Sequence, residues 1–327
     1  MTATNKERSP AIVEGLAAET IEGLTSEANH QGRIQRYSDA KTRAVGMAQF
    51  IKENVSCTTK INKVLHDLKT CGNYLVFRNY YTINQIKLSG MCSCRKHLIC
   101  PLCAIRRGAK SVQAYLQKYN HVIELNPMLK PYLVTFTIKN GDDLLERFNH
   151  LHRSIQLMNQ QRSNAIKAKR PSIEANKAQG ACWSYEIKRG KTSGGWHPHV
   201  HAVWLCTSPP DEDQLRHEWK LITGDSHMVD VRPISTEPDK GFLEVFKYAV
   251  KFSSMEYADT WEIFKKLSGR RLVSCFGCLY GVKIPEKLTD ADLDEELPFF
   301  ELFYRYISRT KSYQPLISAD DIHSRID

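Results

Sequence analysis

The chain has 327 residues, with 46 Lys and Arg against 36 Asp and Glu, for a formal net charge of +10. Hydrophobic content of 42% and charged content of 25% are typical of a folded globular protein, and no apolar run is long enough for a transmembrane helix. A positive balance of this size points to a polyanionic partner, most often nucleic acid, against the plainer reading of a merely soluble basic protein. The first 19 residues lack a charged-then-apolar signal pattern, so a cytoplasmic protein with no membrane partner is expected. Ten cysteines in that setting argue against a disulfide framework and for metal binding where they cluster.

Along the chain, residues 1–37 are polar and read as a flexible arm. Helical spacing follows through Val45, Met47, Phe50, Ile51 and Val55, and again through Ile61, Val64, Leu65 and Leu68. Residues 74–89 read as two short strands. The run Cys92-x-Cys94-x₅-Cys100-x₂-Cys103 then supplies four thiolates at spacing suited to a tetrahedral structural Zn²⁺ knuckle. It opens a basic helix, 104–119, whose Arg106 and Arg107 are candidates for duplex DNA contact, with a packing role as the alternative. Cys275 and Cys278 lack partners nearby, apart from Cys57 or Cys71, and read as structural.

Residues 132–138, 181–188 and 199–206 alternate as strands, and 228–232 is a further candidate. Helices are expected over 142–169, 211–221, 241–252 and 257–267. Each long strand separates into two faces. Val134, Phe136 and Ile138 oppose Thr135, Thr137 and Lys139; Trp183, Tyr185 and Ile187 oppose Ser184, Glu186 and Lys188; Val200, Ala202 and Trp204 oppose His199 and His201. The expected fold is therefore α+β, a central antiparallel sheet with helices packed mainly on one face, plus a small zinc-knuckle element.

Two imidazoles on one strand face make half of a metal site. The Gly-rich turn at 190–195 makes the second and third strands a hairpin, and an odd register puts Glu186 beside His199 or His201 as the third ligand. His197 has the same parity and reads as a supporting group, a phosphate contact or a turn residue. Lys139, Lys188, Arg189 and Lys191 are candidates for phosphate contacts near this face.

In the 241–252 helix, Glu244, Lys247, Tyr248 and Lys251 form one polar stripe. The bland reading is a solvated face. The sharper one is a nucleophile: Lys251 favours the Tyr248 phenolate, and Glu244, one turn away, accepts a proton.

Three blocks in order resemble the rolling-circle replication initiators of small bacterial plasmids, within the HUH endonuclease superfamily: 132–140, 197–204 (His-Pro-His-Val-His-Ala-Val-Trp) and 244–251 (Glu-Val-Phe-Lys-Tyr-Ala-Val-Lys). The resemblance implies an RRM-like palm, a single catalytic Tyr at Tyr248, Glu244 in place of a second Tyr, and Mg²⁺ or Mn²⁺ held by His199, His201 and Glu186. It implies metal-dependent nicking and rejoining of plasmid origin DNA through a 5′-phosphotyrosine, on a single-stranded or hairpin site with duplex nearby, and a 3′-OH primer used with a host helicase and polymerase. The expected division is an arm (1–37), a helical and zinc-knuckle DNA-binding region (38–125), the nicking domain (126–285) and a C-terminal helical tail (286–327). The alternatives are a histidine-triad nucleotide hydrolase, which uses neither metal nor Tyr, and a non-catalytic DNA-binding replication control protein.

Overall fold

The computed structural model describes residues 27–190, 194–234, 238–246, 255–290 and 297–316. Their elements, in chain order, are α1 (Glu27–Asn54), α2 (Thr59–Thr70), β1 (Tyr74–Tyr80), β2 (Gln85–Met91), α3 (Pro101–Leu125), β3 (Lys130–Thr137), α4 (Leu144–Ile166), β4 (Ala178–Arg189), β5 (Trp196–Cys206), α5 (Glu212–Thr223), β6 (Val229–Pro233), α6 (Pro238–Phe246), α7 (Tyr257–Leu267), β7 (Val273–Gly277), β8 (Phe300–Ile307) and β9 (Ser312–Pro315). They form two units. The first takes 27–110, 255–261, 285–290 and 297–316; the second takes the described residues of 111–248 and 262–284. Among the described residues no helix is long and apolar enough to cross a membrane.

In the first unit, Ile34, Tyr37, Ala44, Ala48 and Ile51 recur at helical spacing and are buried along one side of α1. Thr58 caps α2 by accepting from the Ile61 amide, and Leu65 and Leu68 are its buried residues. The antiparallel sheet β2-β1-β8-β9 offers α1 the side carrying Leu75, Phe77, Ile86 and Leu88. Two sequence expectations change here. Residues 27–37, read as arm, are the start of α1; residues 1–26 lie outside the described residues. The tail read as helical carries strands β8 and β9 instead, because Phe300 to Arg305 pair edge to edge with β1.

Arg106 also changes role. It is 2% exposed, and it donates to Leu288 O (2.7 Å) and Asp290 Oδ1 (2.6 Å), while Arg33 donates to Asp290 Oδ2 (3.1 Å). Burial raises the Asp290 pKa, but Arg106 and Arg33 outweigh it and hold the carboxyl well below the usual carboxylate range. Arg106 is thus a buried structural cation, not a DNA contact. Arg107, half-buried, donates to Pro285 O (3.2 Å).

The second unit is built on a five-stranded antiparallel sheet, β6-β3-β5-β4-β7. Asp143 caps α4, and Asp211 caps α5. These helices cover the side carrying Phe136, Trp204 and Tyr185: Phe136 meets Trp219 of α5 at 4.9 Å between ring centroids, and Tyr185 meets Phe148 of α4 at 5.5 Å. The opposite side is not bare. At the Cys182–Val203–Leu205 end it is covered by Val112, Tyr115, Tyr119 and Val122 of α3 and by Phe242, Val245 and Phe246 of α6. Full burial of Phe242 and Phe246 contributes roughly 1.5–3 kcal/mol each and fixes α6 on the sheet.

Candidate metal centres

The β4–β5 hairpin has the odd register under which Glu186 meets the imidazoles. Glu186 pairs with His199, Ser184 with His201, and Lys188 with His197. Across the other edge of β5, Thr135 pairs with His201 and Thr137 with His199. Side chains of paired residues share a face, so these polar groups gather on the α3/α6 side, beyond the apolar cluster.

Glu186 is wholly buried, and its two oxygens divide between the imidazoles: Oε1 lies 3.2 Å from His199 Nε2 and Oε2 3.4 Å from His201 Nε2. The ligand atoms of the three residues all lie within 4.8 Å of one another. Cis ligands of an octahedral cation at about 2.1 Å sit about 3.0 Å apart, so the set needs only a small adjustment to share one ion. A buried carboxylate is costly unless a cation offsets it, and two imidazoles with a carboxylate form a donor set for a divalent metal. His201 is oriented from behind by Thr135, whose Oγ1 is 3.1 Å from Nδ1. Glu244 Oε1, from α6, is 3.7 Å from His201 Nε2. Val245 O accepts from Ser184 Oγ, which ties the same helix to β4.

His197 stands beside the pair, its ring 5.5 Å from that of His199, and Nδ1 pairs with Asn140 Oδ1 at 2.5 Å. Burial lowers its pKa, Lys188 lowers it further, and Glu186 opposes them. Its ring is held in place by Asn140. Lys139 and Lys188 are exposed at the rim of this face. Arg189 is exposed as well; it lies over the Trp196 ring at 3.9 Å and donates to Gly194 O. Tyr248, Lys251 and Lys191 lie outside the described residues.

The thiol cluster forms with one substitution in its expected membership. Cys71, Cys94, Cys100 and Cys103 bring their sulfurs within 4.8 Å of one another, while Cys92 is exposed and outside the group. Sγ separations are 3.5 Å for Cys71–Cys103, 3.7 Å for Cys94–Cys103 and 3.6 Å for Cys71–Cys100. A tetrahedral Zn²⁺ with Zn–S of about 2.3 Å requires about 3.8 Å, so four thiolates fit one zinc. The Cys94 amide donates to Cys71 Sγ (3.4 Å). Hydrogen bonds from Cys100, Cys103 and Cys71 lower the Cys94 pKa.

Cys71 reaches the cluster because it ends α2 and because Gly72 follows with φ +64, packed so closely on Leu102 and the Tyr313 hydroxyl that a Cβ would collide with both. Lys41, fully buried, donates to Lys69 O (2.7 Å) and Cys71 O (2.6 Å). Burial lowers its pKa and the neighbouring thiols draw it back up, so a cation sits against a cluster that is anionic when metallated.

The chain is similar to "Protein rep" of Streptococcus pneumoniae serotype 2 (strain D39 / NCTC 7466), 24% identical over 250 residues. That match spans 71% of this chain and 73% of the relative. No family model matches the chain, and no solved structure does.

Sequence reading missed Thr135, Asn140 and Cys71. Thr135 was placed on the polar strand face without a role. Asn140 sits just past β3, where only the fold reveals its neighbour. Cys71 lies 21 residues before Cys92, and no local spacing rule reaches it.

Proposed function

We propose that this protein is a replication initiator that nicks and rejoins one strand of plasmid origin DNA. The observation that carries the reading is the convergence of Glu186, His199 and His201, with Glu244 brought alongside by a helix whose last described residue precedes Tyr248 by two positions. The similarity to a protein named for replication supports it, as does the chain's basic balance. The buried Glu186 carboxylate between the imidazoles favours a cation site over a metal-free histidine-triad hydrolase.

Glu186, His199 and His201 would hold Mg²⁺ or Mn²⁺, which when bound polarises the scissile phosphodiester. Tyr248 attacks phosphorus in line. The Oη–P bond forms as the P–O3′ bond breaks; the phenol gives up its proton and the departing 3′-oxygen gains one. The products are a 5′-phosphotyrosine and a free 3′-OH that primes a host polymerase behind a host helicase. Lys251 favours the phenolate form. Lys139, Lys188, Arg189 and Lys191 take phosphate oxygens and hold the strand. In-line attack needs an accessible backbone, so the substrate is an extruded hairpin or a melted origin. After one round, Glu244 accepts a proton from water attacking the regenerated junction.

The test is incubation with supercoiled origin plasmid and Mg²⁺, followed by peptide mapping of the DNA–protein linkage. The adduct is expected on Tyr248. Tyr248→Phe should bind origin DNA but form no adduct, and a covalent adduct in that variant overturns the nucleophile. Glu244→Ala should make the first nick and accumulate unreleased product; unchanged circle release removes its role.

A further inference from the structure

In the first unit, α1 covers one side of the sheet β2-β1-β8-β9. Register assigns the other side. Val76 is flanked by Gly90 on β2 and Phe303 on β8; Arg78 lies between Lys87 and Glu301; Tyr74 pairs with Arg305, which pairs with Gln314. Leu316 continues the Phe303 row, its backbone N–H donating a hydrogen bond to Phe303 O. These residues are open to solvent: Tyr74 is 48% exposed, Phe303 45% and Leu316 46%. Large aromatic rings left out on a sheet face, interleaved with Arg78, Lys87 and Arg305 and one carboxylate, are not how a solvated sheet face is ordinarily built. Rings here already attract cations: Arg305 Cζ lies over the Tyr74 ring, 5.8 Å from its centroid, and Arg78 Cζ over the Phe299 ring at 4.5 Å.

One stretch of this unit is strongly basic, while most of its acidic residues fall in 285–327 and 1–26. Residues 27–110 hold 15 Lys and Arg and 4 Asp and Glu, so this stretch alone exceeds the net charge of the whole chain. Arg33, Lys41, Arg106 and Lys110 are buried, which leaves 11 that are not.

We propose that the open face of this sheet is a binding platform for single-stranded polynucleotide, with bases stacked on Tyr74 and Phe303 and phosphates held by Arg78, Lys87 and Arg305. Flat π-faces take any unpaired base, and the cations beside them match a phosphate chain. Tyr74 and Phe303 are diagonal neighbours across β1 and β8, about 7–8 Å apart, so each is placed to take its own base. None of Glu186, His199, His201 and Glu244 belongs to this unit. The platform therefore does not depend on the nicking reading.

The test is fluorescence anisotropy of the full chain with a 12-nucleotide oligo-dT and a 12-nucleotide oligo-U, neither of which contains an origin to nick. Tyr74→Ala and Phe303→Ala should each weaken binding about 10-fold, the scale of one lost base stack. Tyr74→Phe, which keeps the ring, should bind as the parent does. Arg305→Gln should make the salt dependence shallower by about 0.7 in log–log slope. The tighter of the two oligomers identifies DNA or RNA as the natural strand. Thermal unfolding and bound zinc, unchanged in each variant, separate a binding defect from misfolding. Parent-like affinity in both Ala variants overturns the proposal. So does loss of concentration-dependent self-association with oligomer binding intact, which would make the face a contact between copies. Failure of the Tyr248 adduct experiment leaves this result unaffected.

Discussion

Glu186 faces His199 directly across the β4–β5 pair, yet its second oxygen reaches past that partner to His201. One carboxylate thus joins two imidazoles that are two residues apart on the same strand. Glu186→Ala should therefore abolish both halves of the site's chemistry. Isothermal titration with Mn²⁺ should lose its binding event, and nicking should fall by at least about 100-fold. Glu186→Gln keeps the shape but not the charge and should fall nearly as far. Nicking within about twofold of the parent in Glu186→Ala would remove the metal centre from the mechanism.

Cysteine membership gives a sharper test. Cys71→Ser and Cys94→Ser should each release zinc from the purified protein, measured by elemental analysis, and lower the unfolding temperature. Cys92→Ser should retain one equivalent. The reverse pattern would restore Cys92 to the cluster.

Arg106 should behave as a structural residue. Removing it leaves the Asp290 carboxylate, 17% exposed at its side chain, with the Arg33 guanidinium and the Leu88 amide. Arg106→Ala should cost about 3–5 kcal/mol in denaturant unfolding, the range for breaking a buried pair. The salt slope of DNA binding should not change. A slope shallower by about one unit with stability intact would make Arg106 a phosphate contact after all.

His30 supplies a pH dependence. It is buried against Phe77 and Tyr304, and desolvation, with help from Arg33, pushes its pKa down to about 4 from 6.5. A base depressed in the folded state takes its proton first in the unfolded chain. The stability tied to it is therefore fully present above pH 6.5 and declines as pH falls toward 4, by roughly 3 kcal/mol at most. Unfolding midpoints of the parent should drop across that window more steeply than those of His30→Phe. Parallel curves would refute the assignment.

What the sequence disclosed follows from which interactions are local. Alternation at Thr135, Glu186, His199 and His201 put each on the polar face of its own strand, because a strand has only two faces and one was apolar; the register that joins those faces comes from the pairing. The helix caps at Asp143 and Asp211 are equally local signals. Cys71 was hidden because nothing in its own surroundings distinguishes it from an ordinary helix-ending residue; the fold alone delivers it to Cys94. The burial of Arg106 depends on Asp290, 184 residues away. The strands β8 and β9 were obscured by the acidic run that precedes them, since Phe300, Phe303 and Tyr304 acquire strand character only by pairing with β1.

Cys71 and Cys94 stand at the two feet of the β1–β2 hairpin, so a single cation would fasten both ends of that ribbon. A disulfide could tie the same feet, but thiol exchange with a reducing pool would undo it. A thiolate–metal clasp is indifferent to that exchange. The cross-link would open instead to chelators and acid, so the integrity of the ribbon would be governed by metal supply rather than by oxidant.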